Sequence, residues 1–301
     1  MLQRAAKPQF LATMGENARN FSAGEKQLKI RMKSVKNIGK ITKAMKMIST
    51  TKFKKDLARL EGGKHFGIAA LDMLFKSDQF LQRKMPAEVA EPRTLVVPIT
   101  SDKGLCGAIN SAIVREVKKM ILGANRANYQ IFVIGDKGAA GLARPFPDIF
   151  KSAIVRTGTP LNYPTVMSLA VILSNAAADS DKIVVLHNEF ISAIAYEQRH
   201  LELMPRHRFL ETLSYGKLYD QVLPDKNTSN TALYELYLTA NLFVAYLQNA
   251  AAEQSSRMGA MENASKNANE MVDKLTMKYN KARQARITTE LCEIIAGTSA
   301  V

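Results

Sequence analysis

The residue types that could do chemistry gather in one short turn. Ser101-Asp102-Lys103-Gly104-Leu105-Cys106-Gly107 follows an apolar run and precedes a helical pattern. A strand-to-helix turn is where an α/β fold holds phosphate, on the free N–H groups at the helix start. This one has neither the spaced glycines of a dinucleotide fingerprint nor a Gly-Lys-Ser/Thr triplet, so a tight turn without a ligand is the stronger reading. Cys106, beside a helix start, could have a lowered pKa, but a catalytic thiol carries little weight against a structural cysteine. His187 closes an apolar run, where a structural histidine outweighs a general base. No Ser/His/Asp set and no catalytic carboxylate pair stands out. Cys106 and Cys292 lie far apart, and the four histidines are scattered, which gives neither a disulfide framework nor zinc spacing. No catalytic residue, cofactor or metal site is expected.

Charge is the stronger signal. The 301 residues carry a formal net charge of +15, which points to acidic partners: nucleic acid, an anionic surface or an acidic protein. Between Glu25 and Leu60 stand twelve cations, among them Lys33, Lys36, Lys40, Lys43, Lys46 and Arg59, against Glu25 and Asp56 alone. A solvated helix face usually mixes signs, so this segment is read as meeting acidic groups. A nucleic-acid-binding coiled coil is the rival reading. Phe53 is the segment's one aromatic residue, so the rival lacks a stacking platform. A nucleotide-binding enzyme would need the phosphate loop that the 101–107 turn does not supply.

The elements that must position these residues follow from proline placement. Every proline but Pro8 falls between Pro86 and Pro224. Because proline disrupts helix interiors, the proline-free flanks are expected to be long helices. In the first flank, residues 22–77, Leu28, Met32, Val35, Ile38, Thr42, Met45 and Ile48 recur at three and four, with a break expected near Gly62, Gly63 and Gly67. In the second, residues 231–301, one stripe runs through Ala240, Phe243, Leu247 and Ala250. Another runs from Met258 through Met261, Ser265, Ala268, Val272, Leu275 and Tyr279 to Ala282. A stutter near Gln254 offsets the two. At about 1.5 Å per residue such a helix spans roughly 100 Å, so it is expected to project from a domain or enter a partner. Residues 93–224 change period: runs at 94–99, 130–134 and 182–186 read as buried strands alternating with helical patterns. The fold class is α/β, with a Rossmann-like domain between long terminal helices. No apolar run reaches the roughly 18 residues of a membrane span.

Residues 1–21 carry Arg4, Lys7 and Arg19 against Glu16, with spaced apolar residues. They resemble a mitochondrial transit peptide, with Arg19-Asn20-Phe21 set for a cut before Ser22. A frayed basic tail is the alternative.

Several long motifs carry a family resemblance. Residues 33–47 (KSVKNIGKITKAMKM) resemble the N-terminal helix of the ATP synthase gamma-subunit family, the central-stalk rotors of F1 motors. Ser101–Gly107 resembles the family's middle-domain turn, residues 253–258 and 260–268 its C-terminal helix, and residues 287–297 its terminal signature. The likeness runs from about Leu28 to the end. The family's Gly-Ala reads Gly297-Thr298 here, Arg286 stands where a small or apolar residue is expected, and the dithiol insert of chloroplast relatives is absent.

The resemblance implies an antiparallel coiled coil of the terminal helices, turning as an asymmetric shaft inside a ring of three alpha and three beta subunits. The middle domain would sit at the foot, beside the delta and epsilon subunits and the membrane c-ring. The chain would be peripheral to the matrix side of the mitochondrial inner membrane, with catalysis on the beta subunits. Carried over residue by residue, Lys43, Met45, Lys46, Gln254, Arg257, Arg283 and Gln284 would be the coupling contacts to beta-subunit loops.

Overall fold

A computed structural model describes residues 7–63, 92–123, 125–158, 160–214 and 226–298. Positions 64–77 of the expected first helix, with Gly67, and 215–224 of the expected middle domain lie outside them. The chain forms two compact units, one of Met1–Met47 with Met261–Val301, the other Ile48–Ala260. Two helices, α1 (Lys7–Gly63) and α6 (Lys226–Thr298), contribute to both.

The second unit holds a five-stranded sheet, ordered β3-β2-β1-β4-β5. Strands β1 (Thr94–Pro98), β2 (Tyr129–Ile134), β3 (Phe150–Ile154) and β4 (Lys182–Phe190) run parallel, and β5 (Tyr196–Leu203) pairs antiparallel with β4. Between them lie α2 (Ile109–Leu122), α3 (Asp136–Leu142) and α4 (Tyr163–Ala176), and α5 (Arg206–Ser214) follows β5. The central strands are apolar on both faces because both are covered. Leu95, Val97 and Val185 pack against Val166 and Leu173 of α4 and against Tyr234, Leu238 and Leu242 of α6. Val96, Val133 and Val184 face Ile113 and Val117 of α2 and Leu142 of α3. Strands β3 and β5, half-exposed edges, are additions to the expected set.

In the first unit, α1 and α6 pair in opposite directions. Val35 clusters with Ala268 and Leu275, Lys46 meets Glu262 at 3.1 Å, and Glu25 meets Arg286 at 2.9 Å. The expected stripe on α6 from Met261 to Ala282 is the buried or half-buried one. On α1 the stripe is corrected. Ile38 is exposed, and the facing positions are Leu28, Met32, Val35, Gly39, Thr42 and Lys46; in the second unit's part of α1, Ile48 is exposed and Ser49 buried. The facing positions, with Ser49, form an unbroken alternation of four and three, which Ile38 and Ile48 miss by one residue. Small residues hold the seam because the helices approach closely: a Cβ on Gly39 would sit 3.5 Å from Ala268 Cβ.

Candidate functional site

On α1, Lys26, Lys29, Lys33, Lys36, Lys40 and Lys43 follow each other at three and four and are all exposed. From Lys29 onward each follows a seam residue by one position, which turns it about 100° from the seam. Packing therefore fixes where the lysine stripe points, although no lysine is itself buried. Lys43 belongs to this exposed stripe. Met45 is half-buried, and Lys46 lies on the seam, its amine paired with Glu262. The Lys46 ammonium holds the Glu262 carboxyl below its usual range. At the far end of α6, Arg283 and Gln284 are both exposed. Arg286 instead reaches Glu25, and Glu290 at 3.5 Å. Its charge is spent within the chain, which answers how a cation is accommodated at that position.

Two apolar sets were not singled out by the sequence reading. Ile30, Ile41 and Ile48 of α1 are 57–59% exposed, and Ile287, Leu291 and Ile294 of α6 are 46–65% exposed. Their spacings, eleven and seven on α1 and four and three on α6, keep each set on one helix face. The signal was present in the sequence as a second apolar periodicity beside the seam.

In the second unit the 101–107 turn is knotted from within. Asn110 Oδ1 accepts from Ser101 N at 3.0 Å, and Asn110 Nδ2 donates to Ser101 Oγ at 2.7 Å and to Cys106 Sγ at 3.1 Å. Asp102 Oδ1 accepts from the N–H groups of Asp136, 3.0 Å, and Arg156, 3.1 Å. Leu105 is held at φ +61 with its side chain 62% exposed. The carbonyls of Lys103 and Gly104 point at Arg257, whose guanidinium donates to them at 3.3–3.4 Å, to Glu253 at 2.6 Å and to Gln254 Oε1 at 3.1 Å. Ser256 Oγ donates to Cys106 O at 2.6 Å.

This geometry separates the candidates. A phosphate loop must present N–H donors; here carbonyls face an arginine, and a carboxylate of the chain fills two nearby N–H groups. Cys106 is 2% exposed and serves the knot. Burial pulls the His187 imidazole below its usual range, and its Nε2 bonds Gln248 Oε1 at 2.9 Å. Arg257 and Gln254, carried over as contacts to another subunit, are each 8% exposed and face this turn. The Arg257 guanidinium and Gln254 Oε1 bond within the chain, which gives both residues a structural role at this turn. Among the described residues no group of three His, Cys, Asp or Glu could hold a metal ion, and no helix is long and apolar enough to cross a membrane.

The ATP synthase family model matches residues 24–301. A mitochondrial ATP synthase subunit gamma of Drosophila melanogaster is 35% identical over 291 residues, 96% of this chain and 95% of its own. The chain belongs to the ATP synthase gamma-subunit family. The Arabidopsis thaliana mitochondrial subunit gamma is 38% identical, over 90% of this chain and 83% of its own. Among solved structures, a chain of the central stalk and c-ring of Tetrahymena thermophila mitochondrial ATP synthase is 42% identical. It aligns with a TM-score of 0.70, over 75% of this chain and 99% of its own. A chain from the Euglena gracilis mitochondrial enzyme, 20% identical, shares the fold with a TM-score of 0.71 over 93% of this chain. The gamma-subunit family thus accounts for both units, since the likeness runs through the α/β domain and both long helices.

Proposed function

We propose that this chain is the rotor shaft of a mitochondrial F1Fo ATP synthase, coupling proton-driven rotation of a c-ring to conformational cycling of catalytic beta subunits. The observation that carries the reading is its likeness to mitochondrial gamma subunits over nearly the whole of both chains. Residues 22–77 and 231–301 form the antiparallel coiled-coil shaft inside three alpha and three beta subunits. Residues 93–224 form the foot, beside delta, epsilon and the c-ring, peripheral to the inner membrane on its matrix side. Residues 1–21 are a transit peptide cleaved before Ser22.

The work is mechanical. A shaft with different faces binds each beta subunit differently at each angle, and only such differential contact shifts a conformational equilibrium. The exposed stripe ending at Lys43 supports attraction to acidic beta-subunit loops. Lysine stems are flexible and their charges act at range, which suits loops that must slide past. Met45 lies beside that stripe as the apolar member of the contact, and Lys46 joins it at the seam. Catalytic groups belong to the beta subunits.

The test is purification of the tagged chain from its native mitochondria. A three-fold ATPase ring is expected to accompany it, the mature chain is expected to begin at Ser22 by intact mass, and the separated chain is expected not to hydrolyse ATP. Absence of the ring, or sustained turnover by the pure chain that is lost on mutating Lys103, overturns the rotor reading. A chain retaining Met1 overturns the cleavage alone.

A further inference from the structure

Within the second unit, α1, α6, the end of β1 and the residues Thr157, Pro160 and Leu161 line a cleft of about 320 Å³. Thr100 and Ser101, at the carboxyl end of β1, line it. The strand order turns back between β1 and β4, and the crevice at such a point is where open α/β sheets take ligands. Here α6 occupies much of the crevice. Asn249 Oδ1 accepts from Asn188 Nδ2 at 2.8 Å, and Gln248 bonds His187. The cleft is what remains, at the lower end of the roughly 300–1,000 Å³ range of small-molecule sites.

Its walls are mainly apolar: Phe243, Tyr246, Leu247 and Ala250 of α6 face Pro160 and Leu161. Three carboxylates reach it, and each is answered by the chain. Asp56 has Arg59 at 3.8 Å, Asp102 holds two backbone N–H groups, and Glu253 holds Arg257. Arg59 also donates to the Leu161 carbonyl. Lys52 and Lys55 remain, exposed on the same α1 face and about one turn apart, and neither is in an ion pair among the described residues. Lys52 acts on the nearby Asp56 carboxylate through its charge, but neither ammonium is held in a close ion pair, so two lysines stand at the cleft beside acids that already have partners.

We propose that this cleft binds a small amphiphilic anion, an acyl or aryl body against Phe243, Tyr246 and Leu247 with a carboxylate or phosphate head between Lys52 and Lys55. The apolar walls supply burial for the body, and the lysines decide the sign of the head. A cation of the same length would find the acids taken and the lysines repelling it.

Decanoate titrated calorimetrically into the full chain tests this, with decyl phosphate as the second head group and decyltrimethylammonium as the charge-reversed probe. Saturable one-to-one binding is expected for decanoate, decyl phosphate or both, whichever binds naming the head group. The binding is expected to weaken about tenfold or more in the double variant Lys52→Glu, Lys55→Glu, with helix content unchanged. Ala250→Leu, which fills the cleft, is expected to abolish it. Equal affinity for the ammonium probe, no saturable binding of either anion, or parental affinity in the double variant overturns the proposal. Should Ala250→Leu fail to fold, the probe comparison and the double variant decide alone.

Discussion

Arg257 shows how a residue type that suggests an interface can be spent on its own chain. Its guanidinium neutralises Glu253 and caps two carbonyls of the 101–107 turn, with 9% of its side chain exposed. Burial pushes the Glu253 carboxyl above its usual range even with Arg257 beside it. Removing one partner of a buried pair strands the other, which costs about 3–5 kcal/mol. Arg257→Ala is therefore expected to lower the unfolding free energy of the chain by about that amount in chemical denaturation. A loss below about 0.5 kcal/mol, ordinary for a surface site, would mean the arginine is solvated. His187 carries a pH dependence. Its folded pKa is depressed by burial from the usual 6.5, and its Nδ1 is buried without a hydrogen-bond partner. The unfolded imidazole thus takes a proton first as pH falls, so stability present above 6.5 is lost on acidification below it, by at most about 1.4 kcal/mol per pH unit. Melting temperatures across pH 5–7 are expected to fall more steeply with acid in the parent than in His187→Gln; parallel curves would remove His187 as the cause.

At the level of elements, β1, β2 and β4 were legible because a strand buried on both faces must be an unbroken apolar run, and Leu95-Val96-Val97 is one. The edges β3 and β5 were not. Lys151 and Ser152, like Arg199 and His200, are exposed there, and the charge that blunts an edge erases its pattern. The seam of α1 was legible at Leu28, Met32, Val35 and Thr42 but misplaced by one residue at Ile38, Met45 and Ile48, because apolarity points to those three while Gly39, Lys46 and Ser49 hold the seam. The knot around Cys106 was invisible for a different reason: Arg257 lies 153 residues from Gly104, and no local spacing reports such a bond. The β2–α3 junction gives a test at this scale. Gly135 has φ +104, and a Cβ there would lie 2.1 Å from the Thr100 carbonyl oxygen, a backbone atom with little room to yield. Strain and overpacking each cost about 1–3 kcal/mol. Gly135→Ala is expected to lose about 2–6 kcal/mol, whereas Gly158→Ala, at φ +78 with nothing within 4 Å, carries the strain alone. Equal melting temperatures for the two variants would show that the Thr100 contact does not matter.

For the whole molecule, the arginines of α6 divide the work of folding from the work proposed for the rotor. Arg257 holds the turn and Arg286 holds Glu25, but Arg283 is exposed and in no ion pair among the described residues, with Gln284 exposed beside it. Of the three, Arg283 is the one with its fork available to another subunit. Such a fork can hold a carboxylate through two parallel bonds, and a hydrogen bond to a charged group contributes about 1.5–3 kcal/mol. If that bond forms at one rotary angle and breaks at the next, its loss changes a dwell by roughly tenfold or more without touching a catalytic atom. Arg283→Ala with Gln284→Ala is expected to slow ATP turnover per assembled complex at saturating ATP, while assembly and the melting temperature of the free chain stay at parental values. Arg286→Ala is the contrasting variant: it breaks a pair within the chain, so it is expected to lower the chain's stability more than the double variant does. Unchanged turnover in the double variant would reduce Arg283 and Gln284 to solvated residues on a helix end and leave coupling to the lysine stripe and the exposed apolar faces.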